Sequence, residues 1–357
     1  MDILRKIVYN RHRTICKERK ITMKNTKIIS IISAALLTFG ISVNAGAFND
    51  MPDGEMGVAL QNAVDAGLIN GVTDDTIAPY DNITRAQMAA IITRAFSATE
   101  KSDKVFGDVS ADAWYKDVVA QAAYMGAFEG DDNNNFNPEN NITFQETYLV
   151  LSRVFGFEAY KVSGKNLMLG DCDIAVLDVF PDKDAIAPWA VNGAKYIVGN
   201  GGWTGIGGKL KPTDYITRGE FAILMDSIVD KYIDQPGTYK DLGDGLIMVR
   251  SGGVTIDGLK SNHNLIITYG VDEKGCKVQN SVVNGVTLVL GGVDKTPVDK
   301  TATDGTTKQS PDESYVKIQG NYYDVRVNTP FVFLDASEAT VSYYKGVKDS
   351  LVSISIQ

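Results

Sequence analysis

Histidine is nearly absent from this chain: 357 residues hold only His12 and His263. With so few imidazoles, a histidine-rich metal centre or a serine–histidine–aspartate arrangement has almost nothing to be built from. Cysteine is as scarce. Of three, Cys172 and Cys276 stand far apart and in no metal-ligand spacing, and Cys16 lies in the N-terminal stretch. The later pair forms either one disulfide of an exported chain or, the reading we favour, two unpaired and partly buried thiols. Long apolar runs are missing too, apart from Ile28 to Val43, which Ser30, Ser33, Thr38, Gly40 and Ser42 dilute. That run follows Lys24 and Lys27 and ends in Val43-Asn44-Ala45. The order reads as a secretory signal peptide over 23–45, cut after Ala45, rather than as a membrane anchor. The basic stretch 1–22 reads as a leader or a misassigned start ahead of Met23. Positive charge is the last shortage. Residues 1–45 carry nine Lys/Arg against two Asp/Glu, so without them the formal charge moves from −9 to −16. Nucleic acid and anionic lipid are thereby excluded as bulk partners, and an anionic ligand has to be met by local arginines.

What is present is a repeat. Apolar residues make up 44% of the chain, enough for the two to three domains its length suggests. Phe48, Phe106 and Phe180 open similar stretches, "FNDM", "FGDV" and "FPDK", each leading to an isoleucine, Ile83, Ile142 or Ile216. The first interval is 58 to 59 residues by either marker and the second is 74 by both, so an insertion of about 15 residues precedes the third copy. Each copy holds an amphipathic segment with helical spacing, a glycine-rich turn ending at Pro79, Pro138 or Pro212, and a second helix. The second helix starts at a capping box, Thr84-x-x-Gln87, Thr143-x-x-Glu146 or Thr217-x-x-Glu220. The residue after the threonine is Arg85, Phe144 or Arg218. A cation in a first turn opposes the helix dipole, so the arginines ask for a reason. Either a carboxylate or phosphate binds there, between guanidinium and helix start, or each arginine pairs with a neighbouring acid. "GDDNNNF" (130–136) has the alternating acids and amides of a calcium loop, but Phe136 and Ile142 stand where glycine and glutamate are needed, so it reads as a turn.

The ordered set of Phe-x-Asp, Trp-Tyr or Trp-Ala, turn glycine, proline and Ile-Thr-Arg resembles the S-layer homology domain. Three copies would cover 46–103, 104–160 and 178–235, with 161–177 as the insertion. The resemblance implies a compact pseudo-threefold α-helical unit. Its inter-repeat grooves would bind a secondary cell wall polymer, often carrying pyruvylated sugars, as a non-covalent wall anchor without cofactor or metal. By position it carries polymer binding to Arg85, Arg218, Trp114, Trp189, Gly71, Gly130 and Gly205, with Thr84 and Thr217 at the helix starts. Both tryptophans equally suit a core. Repeat 1 has Glu55-Met56-Gly57 where the tryptophan is expected, and Phe144 replaces the arginine of repeat 2, so one or two competent grooves are expected instead of three.

From 239 onward helical spacing gives way to short β-rich runs such as "NLIITYG" and "YYDVRV". "VTIDGLKSNHNLIITYG" and "KVQNSVVNGVTLVLGG" align at an offset near 23 residues, which suits a small β-solenoid better than the alternative, an antiparallel sandwich. The polar segment 294–313 reads as an exposed loop. The expected fold is therefore multidomain: a pseudo-threefold α-helical unit followed by a small all-β domain. Its scattered acids, Asp241, Asp244, Asp257, Asp324 and Asp335, form no facing pair, which argues against an enzyme acting on polysaccharide. The reading is a secreted, non-enzymatic S-layer or envelope structural protein at the bacterial cell surface. A wall-anchored adhesin or ligand-binding protein is the alternative, an anchored enzyme the next, and self-assembly or neighbouring envelope proteins are further partners.

Overall fold

The computed structural model describes residues 48–162, 167–272, 274–292, 316–329, 332–347 and 351–356. The leader, the signal peptide and the loop 294–313 lie outside the described residues.

Three helix pairs follow the three repeats: α1 (Gly54–Asp65) and α2 (Arg85–Ala95), α3 (Lys116–Tyr124) and α4 (Phe144–Val154), α5 (Val191–Gly199) and α6 (Arg218–Ile228). All three capping boxes form, with Thr84, Thr143 and Thr217 each accepting the third helical amide while Gln87, Glu146 and Glu220 return to the threonine amide. Partners are exchanged between repeats. α1 packs on α6, α3 on α2 and α5 on α4, so each first helix lies against the second helix of the repeat before it. These pairs run parallel: Met56 meets Gly219 while Asn62 donates to Asp226, and Gly193 meets Leu149 while Asn200 donates to the Phe157 carbonyl.

At the helix starts the repeats close a ring. The Ile83 amide donates to the Ile216 carbonyl (3.0 Å), Ile216 to Ile142 (3.1 Å), and Ile142 to Ile83 (2.9 Å). All three side chains are fully buried, so the ring is also an apolar hub.

Strands β1 (Tyr160–Lys161) and β2 (Met168–Leu169) form a hairpin in the insertion. The remaining strands are β3 (Lys231–Ile233), β4 (Gly237–Tyr239), β5 (Ile247–Val249), β6 (Val254–Asp257), β7 (Lys260–Ser261), β8 (Leu265–Ile267), β9 (Cys276–Val289), β10 (Val316–Val327), β11 (Phe333–Gly346) and β12 (Leu351–Ile356). Every described pairing among these is parallel, where an antiparallel sandwich would have required the reverse. The short β6, β7 and β8 lie along β9 with Val254 opposite Cys276, Lys260 opposite Val282 and Leu265 opposite Thr287, a uniform offset of 22 residues. Equivalent apolar side chains thus stack: Val254, Cys276, Val316 and Leu334 share one buried column. Both late cysteines are buried, Cys172 with its thiol donating to the Lys195 carbonyl (3.3 Å), and burial pushes the Cys276 thiol up to about 12.

The β unit covers the C-terminal helix ends. Arg250 donates to the Ala66 carbonyl past α1, Gly270 packs on Ser97 past α2, and Tyr269 meets Tyr124 at the end of α3. Asn264 donates to Phe155 past α4, and α6 runs on into β3. Cations and amide donors here satisfy carbonyls that a helix leaves unpaired. Leu246, Met248, Ile266, Leu288 and Leu290 join the helical core, so the two units share one apolar interior. Arg326 is the polar bolt. It donates to the Gly156 (2.8 Å) and Glu158 (3.0 Å) carbonyls and grips Asp324 at 2.9 and 3.0 Å, while Tyr160 donates to the other Asp324 oxygen. Arg326→Met would leave a buried carboxylate unpaired, at a cost of about 3–5 kcal/mol. We expect urea unfolding to show that loss, and Arg326→Met/Asp324→Leu to recover most of it. A single variant as stable as wild type would remove the bolt from the account.

Candidate ligand-binding face

The fold gathers the helix starts, with their threonines and arginines, on the side opposite the β unit. The first two amides of each second helix are already used. Arg85 and Ala86 donate to the Asn140 and Pro138 carbonyls of repeat 2, Phe144 and Gln145 to Asp214 and Pro212 of repeat 3, and Arg218 and Gly219 to Asp81 and Pro79 of repeat 1, all at 2.8 to 3.0 Å. Thr84 and Thr217 take the third amide. The helix-start amides expected to meet an anion are therefore spent on holding repeat to repeat.

The receiving turns have a common device. Asp50, Asp108 and Asp182, the acids of the three Phe-x-Asp motifs, each accept two successive amides: Ile77 and Ala78, Phe136 and Asn137, Leu210 and Lys211. The second residue of each pair is left-handed, with φ of 51, 58 and 51°. A carboxylate clamped on both amides offsets the strain of that conformation in a residue other than glycine. Those hydrogen bonds, the Ile77 amide foremost, hold the Asp50 carboxyl below the usual carboxylate range.

The arginines complete the same junctions. Arg218, 8% exposed, donates to the Ile77 (2.7 Å) and Asn70 carbonyls across the repeat 3–repeat 1 junction. Arg85 donates to the Phe136 carbonyl (2.8 Å), pairs with Glu146 (3.2 Å) and lies 5.2 and 5.3 Å from the Phe128 and Phe136 ring centres. Burial works against both guanidinium charges, and Glu146 is the main support for that of Arg85. Pairing with a neighbouring acid thus describes Arg85, whereas Arg218 is held by carbonyls.

Phe144 corrects the picture of a position that simply lost its charge. It is fully buried at the repeat 2–repeat 3 junction, with the Lys211 ammonium 5.5 Å from its ring centre. Lys211 reaches Glu220 at 2.6 Å, as Arg85 reaches Glu146. Lys211 occupies the left-handed site held by Asn137 and Ala78 in the other copies, so the cation has moved from the helix to the facing turn. Sequence reading missed Lys211. Its signal was the coincidence of a lysine before Pro212 with the missing arginine.

The tryptophans are not core. Trp114 and Trp189 are 63% and 54% exposed, just ahead of α3 and α5, while Trp203, which the motif did not single out, is buried and donates to Tyr148. The turn glycines serve packing: a Cβ at Gly71 or Gly130 would strike the opening Phe48 or Phe106 ring, and one at Gly205 the Lys209 backbone. Asp131 accepts the Asn133 (2.9 Å) and Asn135 (2.8 Å) amides, so 130–136 is the expected turn.

The S-layer homology domain family matches residues 47–89, 105–147 and 179–222. Similar proteins include the surface-layer 125 kDa protein of Lysinibacillus sphaericus, 31% identical over 56% of this chain and 16% of its own length. The S-layer protein EA1 of Bacillus anthracis is 26% identical over 66% of this chain and 28% of its own. The exoglucanase XynX of Acetivibrio thermocellus is 25% identical over 54% and 17%. The chain therefore spans well under a third of the length of these relatives.

If Lys211 and Phe144 replace an arginine–asparagine pair, exchanging them together should be milder than changing one. Phe144→Arg alone loses a buried aromatic and crowds two cations, and we expect about 3 kcal/mol or more of destabilisation. Adding Lys211→Asn should return at least about 1 kcal/mol as a coupling energy. Strictly additive melting behaviour would refute the relocation. Arg218→Ala, which strips two buried carbonyls of a donor, should cost about 1–3 kcal/mol, not the near-zero effect of an exposed helix-start cation.

Proposed function

The chain is a secreted cell-surface protein with three S-layer homology domains, and from that premise we propose that its helical unit anchors it to the bacterial cell wall by gripping a secondary cell wall polymer. The carrying observation is the pair of exposed tryptophans, Trp114 and Trp189, on the face of the helix starts. Large aromatic rings in water stack on sugar faces, and nothing in the core requires them there. Arg85, Arg218 and the turn glycines Gly71, Gly130 and Gly205 shape the adjoining junctions, with Thr84 and Thr217 fixing the helix starts. An acidic substituent such as a pyruvyl group would be met by the cations of these junctions. We place the repeats at 46–103, 104–160 and 178–235 and read the described strands from β3 onward, which start ahead of residue 239, as a small β-solenoid; their parallel pairing supports that reading, as does the 22-residue offset where β6, β7 and β8 meet β9.

The polarity of the fold supports an anchor that displays its other end. With the polymer at the helix starts, the β unit on the opposite ends faces away from the wall, free to meet neighbouring envelope proteins or copies of itself. The protein acts as a structural surface component, not as an enzyme. An exoglucanase is among its relatives. In the β unit, though, Asp244 is bound to Asn262, Asp257 to Lys240 and Asn280, Asp324 to Arg326 and Asp335 to Lys317. Carboxylates tied in this way make poor acid–base pairs.

The full chain should co-sediment with sacculi that carry the polymer and stay in solution with sacculi stripped of it. Trp114→Ala and Trp189→Ala should each weaken binding by about 0.5–1.5 kcal/mol without moving the melting temperature. Equal pelleting with stripped sacculi, or wild-type affinity in the double variant, would defeat the proposal.

A further inference from the structure

The seam between the two units contains an open cleft whose interior holds about 50 Å³, room for a few waters, and which widens into solvent. The helical side contributes Gly156, Phe157 and Asn200, and the β side contributes Asn262, Asn284 and Tyr323, with Asp324 at the back. Junctions of two units are common places for small-molecule binding, and a ligand here would rest in the open mouth with one edge against the wall, not be enclosed. We propose that this cleft binds a neutral saccharide unit, independently of the helix-start face.

The chemistry of the walls narrows the ligand. Among the described residues Asp324 is the one charged member of the lining, and its oxygens are taken by Tyr160 and Arg326. The wall is thus close to neutral and offers little to an anion or an amine. No group of three or more metal-ligating side chains occurs among the described residues, which sets a metal aside. Amides and ring faces remain. Asp244 accepts both the Asn262 backbone amide (2.7 Å) and its side-chain amide (2.8 Å), and Asn284 donates to the Asn262 side-chain carbonyl (2.9 Å). Asn284 is fixed by one N–H and, among the described residues, keeps a second N–H and its carbonyl for another partner. A donor and an acceptor side by side on one held amide match neighbouring hydroxyls of a pyranose. Tyr323 stands edge-on to Tyr343, 5.3 Å between centres, and with Val286 gives the apolar surface that sugar C–H groups need. Gly285 lies so close to the His263 and Asn264 backbone that a Cβ would strike the His263 carbonyl, so the main chain carrying Asn284 is packed in place.

Because the walls come from both units, a bound sugar should also stabilise their docking. The experiment uses the full chain, with glucose and N-acetylglucosamine as neutral probes and glucuronate as the charged control, read by saturation-transfer NMR and melting temperature. Saturable binding of a neutral probe with a rise in melting temperature is expected, at least about fivefold weaker in Asn284→Asp and in Tyr323→Ala, unchanged in Trp114→Ala, with glucuronate weaker throughout. The two cleft variants act on different walls, so one that misfolds by circular dichroism leaves the other to decide. No saturable binding of either neutral probe, or binding lost in Trp114→Ala and kept in the cleft variants, would overturn the proposal and leave the wall-binding reading untouched.

Discussion

Three main-chain hydrogen bonds run in a circle through Ile83, Ile216 and Ile142, and each repeat both gives and receives one. No repeat can close that circle alone. The same is true of the helix starts, whose first two amides find their carbonyls only in the next repeat's turn. A single copy would expose unpaired amides and an apolar stripe. Three copies satisfy the amides and bury the stripe at once, which is why the repeat number, and not only the repeat sequence, specifies the structure. The left-handed turn residues belong to this constraint: their conformation points the turn carbonyls at the incoming helix, and the Phe-x-Asp carboxylates hold it there.

From the parallel packing of the helices follows a molecule with two unlike ends. All the starts gather at the hub. Most of the last turns, with their unpaired carbonyls, meet the β unit, which answers with Arg250, Arg326 and Asn264. Charge is placed accordingly, with cations near carbonyl ends where the helix dipoles welcome them. The arginines at the starts oppose the dipole, and their neighbours explain why they are tolerated: carbonyl oxygens of an adjacent turn, a carboxylate for Arg85, and phenylalanine faces. Because most helix ends are covered by one unit and most starts lie on the other side, the β unit cannot swing without unpairing carbonyls. Its orientation relative to the helix-start face is built in.

Local features were legible in the sequence because their causes are local. The capping boxes need only four residues, and all three form. The β register was nearly readable where β6, β7 and β8 meet β9, 22 residues where the alignment gave about 23, since strands paired in parallel bury matching apolar positions. What the sequence hid was exchange between repeats. A motif read within one repeat makes Arg218 look like an exposed cation awaiting an anion, yet its partners, Ile77 and Asn70, lie well over a hundred residues earlier. Exposure was equally hidden: nothing local separates Trp114 and Trp189, both solvent-facing, from the buried Trp203.

Phe144 shows how such a ring diverges without breaking. A buried arginine cannot simply be dropped, because the glutamate across the junction would be left buried and unpaired. In the repeat 2–repeat 3 junction the ammonium of Lys211 reaches that glutamate from the opposite side, and the aromatic ring fills the space the arginine would have used. The charge balance of the junction is kept while its geometry changes: the cation now stands on a turn instead of a helix. The three junctions are therefore chemically distinct faces of one backbone design, one with an arginine–glutamate pair, one with a lysine–glutamate pair over phenylalanine, and one in which Arg218 faces carbonyls and Gln87 replaces the acid. A threefold architecture carrying three different junctions presents three unequal surfaces at the helix starts, and what distinguishes them rests on side chains that the pseudo-symmetry leaves free to vary.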